Sequence, residues 1–197
     1  MHVFLGITGA SGAPYAARLL EALAVAGCEV GVSASAAGIE VIATELYGDA
    51  RLSADETMAR FLEHAHGGSV TLYHPQDWHA PYASGTARVD AYVICPCSMG
   101  TLGTIASGAM SNLIHRAASV ALKEGRKLVL VPRETPLSEI HLDNMLRVRR
   151  AGAVVLFAAP GFYHAPESID DLVDFLVARC LDQLGIENML AKRWGES

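Results

Sequence analysis

The sequence is short of cysteine, of positive charge and of long apolar runs. Its four cysteines include no Cys-x-x-Cys pair and its eight histidines no ligand spacing, so we expect reduced thiols and no metal site. The formal net charge of −6 argues against a nucleic-acid partner held by bulk charge. No apolar run approaches the roughly 20 residues of a membrane span, and the first residues carry no signal-peptide pattern. These absences make the cytoplasm the expected location.

The common nucleotide-binding fingerprints are also missing from the first strand-helix unit. Residues 3–7 predict a buried strand, residues 8–12 a glycine turn, and the next apolar positions have helical spacing. Gly6, Gly9 and Gly12 are spaced G-x-x-G-x-x-G rather than G-x-G-x-x-G. The second predicted strand, residues 29–33, ends without the carboxylate that would bind a nicotinamide cofactor's ribose. No Lys-Ser or Lys-Thr pair marks a P-loop, and Ser11 just misses the G-x-S-x-G spacing of a nucleophile elbow.

What this unit does contain is a candidate anion site. A glycine turn that opens a helix presents backbone N–H groups at the positive end of the helix dipole, where phosphate often binds. Taken alone, the unit favours a mononucleotide or flavin phosphate over NAD, and a tight turn without any ligand is the alternative. A second turn of small residues, 96–101, follows an apolar strand predicted at residues 91–95, and it is another candidate cradle.

Strands and helices alternate along the whole chain, and most predicted strands are continuous apolar runs. This pattern predicts a single doubly wound α/β domain, Rossmann-like or flavodoxin-like, with a parallel sheet covered by helices on both faces. The domain is expected over residues 1–187. A polar tail, residues 188–197, contains Met189, Leu190 and Trp194 and suggests a lid or a subunit contact. The predicted strands are residues 3–7, 29–33, 70–74, 91–95, 127–131 and 154–158, and the later helices residues 36–47, 55–65, 101–107, 112–124, 138–150 and 168–184.

Polar and aromatic residues outside the two turns add further candidates. The loop at residues 75–88 carries Trp78 and Tyr82 and is more typical of a binding surface than of a spacer. Arg133 and Glu134 follow a predicted strand at its carboxyl end, where open α/β sheets bind ligands. A structural ion pair is the alternative interpretation of that pair.

Two charged residues stand at unexpected helical positions. Glu45 falls in the last turn of a predicted helix, where the dipole disfavours an acid by about 0.3 kcal/mol or more, and local pattern favours a solvated side chain. Arg179 projects at the edge of the apolar stripe of the last helix. A charge there needs an anionic partner from the protein, a ligand or another subunit.

Four long segments closely resemble the flavin prenyltransferases, the UbiX family. They are TGASGAPYAARLL, ICPCSMGTL, NLIHRAASVALKEGRKLVLVPRETPLSEIHLDNML and APGFYHAPESIDDLVDFLVARCLDQLGI. The resemblance covers nearly the whole chain. It implies that reduced FMN is alkylated by dimethylallyl monophosphate, and that the prenylated FMN serves a partner UbiD-type decarboxylase. It also implies a metal-independent reaction and a dodecamer whose sites lie between subunits.

The same resemblance assigns roles to particular residues. It implies that Lys123, Tyr163 and Arg179 hold the prenyl phosphate, and that Ser11, Glu45 and Glu134 position groups and handle protons. Lys123, Arg133 and Arg179 would stabilise the negative charge of the leaving phosphate, while Trp78 and Tyr163 are candidates for an aromatic wall around the allyl cation. By its position alone, Lys123 only complements a helix dipole. The implied flavin contacts are Gly9, Ala10, Ser11, Ser35, Ser98, Met99, Gly100, Thr101 and Arg133.

Two other functions compete with this interpretation. FMN-dependent oxidative decarboxylases of cysteine-containing substrates share the flavin cradle, but they typically carry a catalytic histidine on the first helix and a Pro-x-Met-Asn-x-x-Met-Trp motif. This chain has neither. A non-catalytic flavin-binding protein is the second alternative, but such a protein has no use for the second anion site that Arg179 and the Arg133-Glu134 pair indicate.

Overall fold

The computed structural model describes residues 1–191 and 195, and these form the predicted α/β domain. Six parallel strands make one sheet in the order β3-β2-β1-β4-β5-β6. The order reverses direction between β1 and β4, so the carboxyl ends of these two strands form the crevice where doubly wound folds bind ligands. The strands are β1 His2–Ile7, β2 Glu29–Ala34, β3 Val70–Leu72, β4 Ala91–Cys97, β5 Lys127–Pro132 and β6 Val154–Val155.

Helices cover both faces of the sheet and create two apolar cores. Side chains of β1 alternate between them, because successive residues of a strand point to opposite faces: Val3 and Leu5 enter the first core and Phe4 the second. Helices α1, α2, α3 and α7 pack over the first core, and α4, α5 and α6 over the second. These helices are α1 Ala13–Val25, α2 Ala36–Tyr47, α3 Ala54–Glu63, α4 Met99–Ser107, α5 Leu113–Lys123, α6 Glu139–Arg150 and α7 Ile169–Leu184.

Three strands differ in length from the prediction by two residues or more. β4 runs two residues past its predicted end at Cys95. Pro96 has no N–H, but its carbonyl accepts a hydrogen bond from Thr8 N at 3.1 Å, and after a shift of register Cys97 pairs with Pro132. β3 and β6 are shorter than predicted because they are edge strands with a partner on one side only, although Leu156 N and Ala158 N still donate to carbonyls of β5.

The start of the tail packs against α7. The Asn188 amide donates to the Asp182 carboxylate at 3.2 Å, Leu190 packs partly against the first core, and Met189 is 99% exposed. Trp194 lies outside the described residues. The division into a domain and a tail that serves as lid or subunit contact stays a prediction. Within the described part of the chain, no helix has the length and apolarity needed to cross a membrane.

Candidate functional site

Three turns of small residues meet at the carboxyl edge of the sheet. They follow β1, β2 and β4, and each one leads directly into the N-terminus of a helix, α1, α2 or α4. Backbone N–H groups of three helices therefore point towards one region, and the positive ends of three helix dipoles meet there. The two turns predicted from the sequence are both present, and the turn at Ser35 joins them.

Thr8 links the turn after β1 to the turn after β4 through hydrogen bonds. Its hydroxyl donates to the Pro96 carbonyl at 3.0 Å and accepts from Ser98 N at 2.7 Å. Thr8 is only 1% exposed, so its hydroxyl lies inside the protein. Sequence analysis missed this residue, because nothing in the local pattern indicates partners about 90 positions away.

We expect Thr8→Val to loosen this edge of the sheet. The substitution keeps the shape but removes the hydroxyl and leaves Ser98 N–H unpaired, which typically costs about 1–3 kcal/mol. Urea unfolding should show that loss of stability, and titration with FMN should show weaker binding. Thr8→Ser keeps both hydrogen bonds and is the matched control. Equal stability and FMN affinity in the valine variant and the wild type would show that the link is dispensable.

Two glycines allow α2 to pack closely against the first turn. A Cβ on Gly9 would lie 2.5 Å from the Ala37 Cβ, and a Cβ on Gly38 would lie 2.6 Å from the Ile7 carbonyl oxygen. Any larger residue at either position would push the N-terminus of α2 away from β1. Gly38 is a second residue that sequence analysis did not single out.

The three helices are capped in two different ways. Ser35 Oγ accepts from Gly38 N at 3.1 Å, and Ser98 Oγ accepts from Thr101 N at 3.2 Å, so α2 and α4 have ordinary serine caps. Gly12 precedes helix α1 at the cap position and has no side chain to serve as a cap.

Glu45 supplies the missing cap of α1. Its Oε2 accepts from Gly12 N at 2.9 Å and from Ala13 N at 2.8 Å. Glu45 is exposed, as the local pattern favours, but its carboxylate also reaches from the end of α2 to the positive end of α1. Two N–H groups of the first predicted anion site are thereby already bound by an acid of the chain itself. The proton-handling role of Glu45 stays a prediction.

The cap leads to a stability prediction for Glu45. We expect Glu45→Ala to lower the free energy of unfolding by about 0.5–2 kcal/mol, the usual cost of losing a helix cap. Glu45→Gln keeps an acceptor oxygen and should lose less. Urea unfolding measures both, with Glu40→Ala, an exposed acid on the same helix, as control. A Glu45→Ala protein no less stable than the Glu40→Ala protein would contradict the cap.

Arg133 and Glu134 stand beside the first turn. Arg133 Nε donates to the Ser11 carbonyl at 3.3 Å, so the guanidinium crosses the end of β4. Glu134 Oε1 accepts from Thr135 N at 3.1 Å. Both residues are half-buried. Among the ion pairs of residues 1–191, none joins Arg133 to Glu134. The alternative that these two residues form a structural ion pair is therefore not supported.

Tyr163 and Arg179 are both associated with α7. Tyr163 packs edge-on against Phe175, with ring centroids 5.7 Å apart, and Arg179 lies one turn further along the same helix. Arg179 Nη1 donates to Asp182 Oδ2 at 2.7 Å. The anionic partner expected for this arginine therefore includes an acid of its own helix.

Lys123 and Arg133 lie at opposite ends of β5 within one chain. Lys123 ends α5 next to the start of β5 and forms an ion pair with Glu124. The length of β5 separates it from Arg133, about 20 Å at 3.3 Å per residue. Trp78 is 45% exposed in the loop after β3, and this loop contacts the start of α5, where Leu113 N donates to the Pro75 carbonyl at 2.7 Å. The aromatic wall of Trp78 and Tyr163 stays a prediction.

The cysteines of β4 do not add a nucleophile to the site. Burial raises the pKa of the Cys97 thiol to about 12 and the pKa of the Cys95 thiol well above its usual value. Both are therefore neutral thiols at neutral pH, and only the thiolate is an effective nucleophile.

Comparison with known proteins identifies the class to which this fold and site belong. The family model described as Flavoprotein matches residues 1–181. A doubly wound sheet with small-residue turns at its switch point is thus the frame of a flavoprotein.

Individual relatives narrow the class further. Flavin prenyltransferase UbiX of Pseudomonas aeruginosa is 52% identical over 199 residues, which cover 99% of this chain and 94% of the relative. The dodecameric FMN-dependent UbiX-like decarboxylase of Escherichia coli O157:H7 is 42% identical, covers both chains completely and superposes with a TM-score of 0.86. AnUbiX (PadA1), in complex with FMN and dimethylallyl pyrophosphate, is 39% identical with the same TM-score and covers 100% of this chain and 98% of its own. The chain belongs to the UbiX family of flavin prenyltransferases.

Proposed function

We propose that this protein transfers a dimethylallyl group from dimethylallyl monophosphate to reduced FMN. The product is prenylated FMN, the cofactor of a UbiD-type decarboxylase. The observation that carries the proposal is the convergence of Gly9, Ser35, Ser98 and Arg133 at one edge of the sheet. The resemblance assigns all four to the flavin, and no sequence-local reason brings them together.

The residues at this edge fit FMN. Gly9, Ser11 and Gly100 are exposed there, and the first atom that a Cβ on Gly100 would meet is Ser98 Oγ at 3.9 Å, so the backbone at the start of α4 is open to a ligand. Because Glu45 already binds the first N–H groups of α1, the N-termini of α2 and α4 are better placed to hold a phosphate. Arg133 adds a positive charge beside them. The further flavin contacts are Ala10, Met99 and Thr101.

The prenyl phosphate site requires more than one copy of the chain. Lys123 and Arg133 lie at opposite ends of β5, too far apart to contact one phosphate within a protomer. A neighbouring copy that brings its Lys123 to the carboxyl edge of the first would complete the site. The exposed apolar side chains of Ile140 and Leu146 on α6 provide a surface for such a contact, and the dodecameric relative supports a homo-dodecamer.

The chemistry follows from the residue types. Reduced FMN supplies the nucleophilic ring atoms when bound. The carbon–oxygen bond of the allylic phosphate breaks, and the oxygen keeps the electron pair, so Lys123, Arg133 and Arg179 stabilise a negative charge that grows in the transition state. Glu134 donates a proton to the departing phosphate. Glu45 and Ser11 handle the proton released at the flavin, and Trp78 and Tyr163 shield the cationic prenyl carbon from water.

The four cysteines support a reducing compartment for this reaction. Cys28, Cys95, Cys97 and Cys180 are buried free thiols, and such thiols persist where disulfides do not form. We therefore place the protein in the cytoplasm.

The relatives do not favour the competing functions. Helix α1 contains no histidine, which the oxidative cysteine decarboxylases typically carry there. The second anion site implied for Arg179 and the Arg133-Glu134 pair is of no use to a passive flavin carrier.

Release of inorganic phosphate tests the proposed function. Anaerobic protein with dimethylallyl monophosphate should release one phosphate per flavin prenylated when FMN is reduced, and none when FMN is oxidised. Phosphate release that does not depend on flavin reduction would indicate a simple phosphatase and contradict the proposal. Repeating the experiment with dimethylallyl pyrophosphate, whose leaving group is pyrophosphate, and measuring pyrophosphate release identifies the preferred donor.

A further inference from the structure

Three aromatic rings pack together where the loop after β6 meets α7. His164 and Phe175 are stacked, with centroids 5.0 Å apart and ring planes 5° from parallel. Tyr163 stands edge-on to both, at 5.8 Å from His164 and 5.7 Å from Phe175, with interplanar angles of 80° and 83°. Edge-on and stacked contacts of this kind are the favourable geometries for aromatic rings. The three rings fix the direction of the Tyr163 side chain.

The backbone around these rings is shaped to let them meet. A Cβ on Gly161 would lie 3.0 Å from Tyr163 Cε1 and 3.2 Å from Phe175 Cζ, so any other residue would push both rings away by a few tenths of an ångström. Ala165, directly after His164, has a φ of 53°, a conformation that residues with a side chain seldom adopt. The chain accepts this strain at the point where it folds the His164 ring onto α7.

The imidazole of His164 is used here as a flat ring and not as a hydrogen-bonding group. Both of its nitrogen atoms are buried and have no hydrogen-bond partner in the described part of the chain. A buried polar atom without a partner is costly, and phenylalanine would stack at the same place without that cost. What His164 contributes to the structure is therefore the plane of its ring.

We propose that His164 and Phe175 form a plate that positions Tyr163 for the prenyl phosphate. His164 is thus a positioning residue, which acts through Tyr163 and does not touch the phosphate itself. The inference rests on the proposed function, because it takes from it the contact between Tyr163 and the donor. It adds that donor affinity depends on two rings behind the contact residue, one from the loop and one from α7.

Four variants test the plate. Removing it with His164→Ala or Phe175→Leu should raise the donor concentration for half-maximal rate about tenfold, the equivalent of one lost aromatic contact. His164→Phe should keep the wild-type value and raise the melting temperature, since it restores the ring without the unpartnered nitrogens. His64→Ala is the matched control, because His64 also packs against a phenylalanine, Phe61, with centroids 6.1 Å apart, but at the end of α3. This control should leave the donor concentration for half-maximal rate unchanged.

Donor affinity is also measured without turnover. Calorimetry with dimethylallyl monophosphate and protein loaded with oxidised FMN, which cannot be prenylated, should show the same tenfold loss in the first two variants, while FMN affinity stays at the wild-type value. Wild-type donor affinity in His164→Ala would overturn the plate. So would a His164→Phe protein as impaired as His164→Ala, because the nitrogens would then matter and not the ring. A wild type that binds donor but forms no product would overturn the proposed function alone.

Discussion

Replacing Lys123 by alanine is expected to leave a folded, FMN-loaded protein that forms prenylated FMN about a hundredfold to a thousandfold more slowly. The ammonium group of Lys123 is proposed to lie on the donor phosphate, whose negative charge grows as the allylic bond breaks. Such a contact is worth most in the transition state, so its loss appears in the rate. FMN binding should persist because its proposed contacts lie on other turns. Single-turnover formation of the product under anaerobic conditions measures the effect.

A matched lysine separates this role from a helix cap. As a cap of α5, Lys123 would contribute only about 0.3–1 kcal/mol of stability, and turnover would be intact. Lys127, four residues later, is exposed at the start of β5, and Lys127→Ala should retain the wild-type rate. Near wild-type product formation by Lys123→Ala would show that Lys123 acts only as a helix cap.

Because Lys123 and Arg133 lie at opposite ends of β5, we expect the two ends of one site to come from different copies of the chain. Co-expressed Lys123→Ala and Glu134→Gln chains should then regain part of the activity that each homomer lacks. Mixed assemblies contain some sites with a native Lys123 from one copy and a native Glu134 from the other. No recovery in assemblies shown by mass to contain both chains would mean that both residues serve the same copy.

Glu134→Gln is expected to slow product formation by about a hundredfold to ten-thousandfold, the range associated with losing a general acid. The amide has nearly the same shape and keeps the acceptor for Thr135 N, so folding should not change. It cannot give a proton to the departing phosphate. Donor affinity, measured with oxidised FMN, should stay close to the wild-type value, which places the loss in the chemical step.

An exposed acid close by controls for charge. Glu139 begins α6, and Glu139→Gln removes the same charge a few residues away. It should leave the rate unchanged. Equal rates for Glu134→Gln and the wild type would show that the phosphate leaves without a proton from Glu134.

Most of the fold could be predicted from the sequence because it depends on local patterns. Helix α2 was predicted with the bounds that it has, and the apolar runs located all six strands. The ends of β4 and β6 could not be predicted in this way. The Pro96 carbonyl keeps β4 in the sheet through a bond to Thr8, and β6 lacks a second partner strand; both facts depend on which strands are neighbours.

Less of the site could be predicted from the sequence, because it also depends on which strands are neighbours. Small-residue turns and the Arg133-Glu134 pair are visible along the chain, and the structure brings them to one edge of the sheet. The Thr8 link and the Glu45 cap join residues that are far apart in sequence, so no local pattern contains them. The position of Lys123 at the other end of β5 likewise emerges only once the strands are paired.

The mass of the flavin recovered after reaction tests the central claim most directly. Protein, FMN, reductant and dimethylallyl monophosphate are incubated without oxygen, and the flavin is released by denaturing the protein and weighed by mass spectrometry. The account predicts a gain of one prenyl unit, absent when donor, reductant or protein is omitted and strongly reduced with Lys123→Ala. FMN of unchanged mass from wild-type protein that binds both FMN and the donor would contradict it.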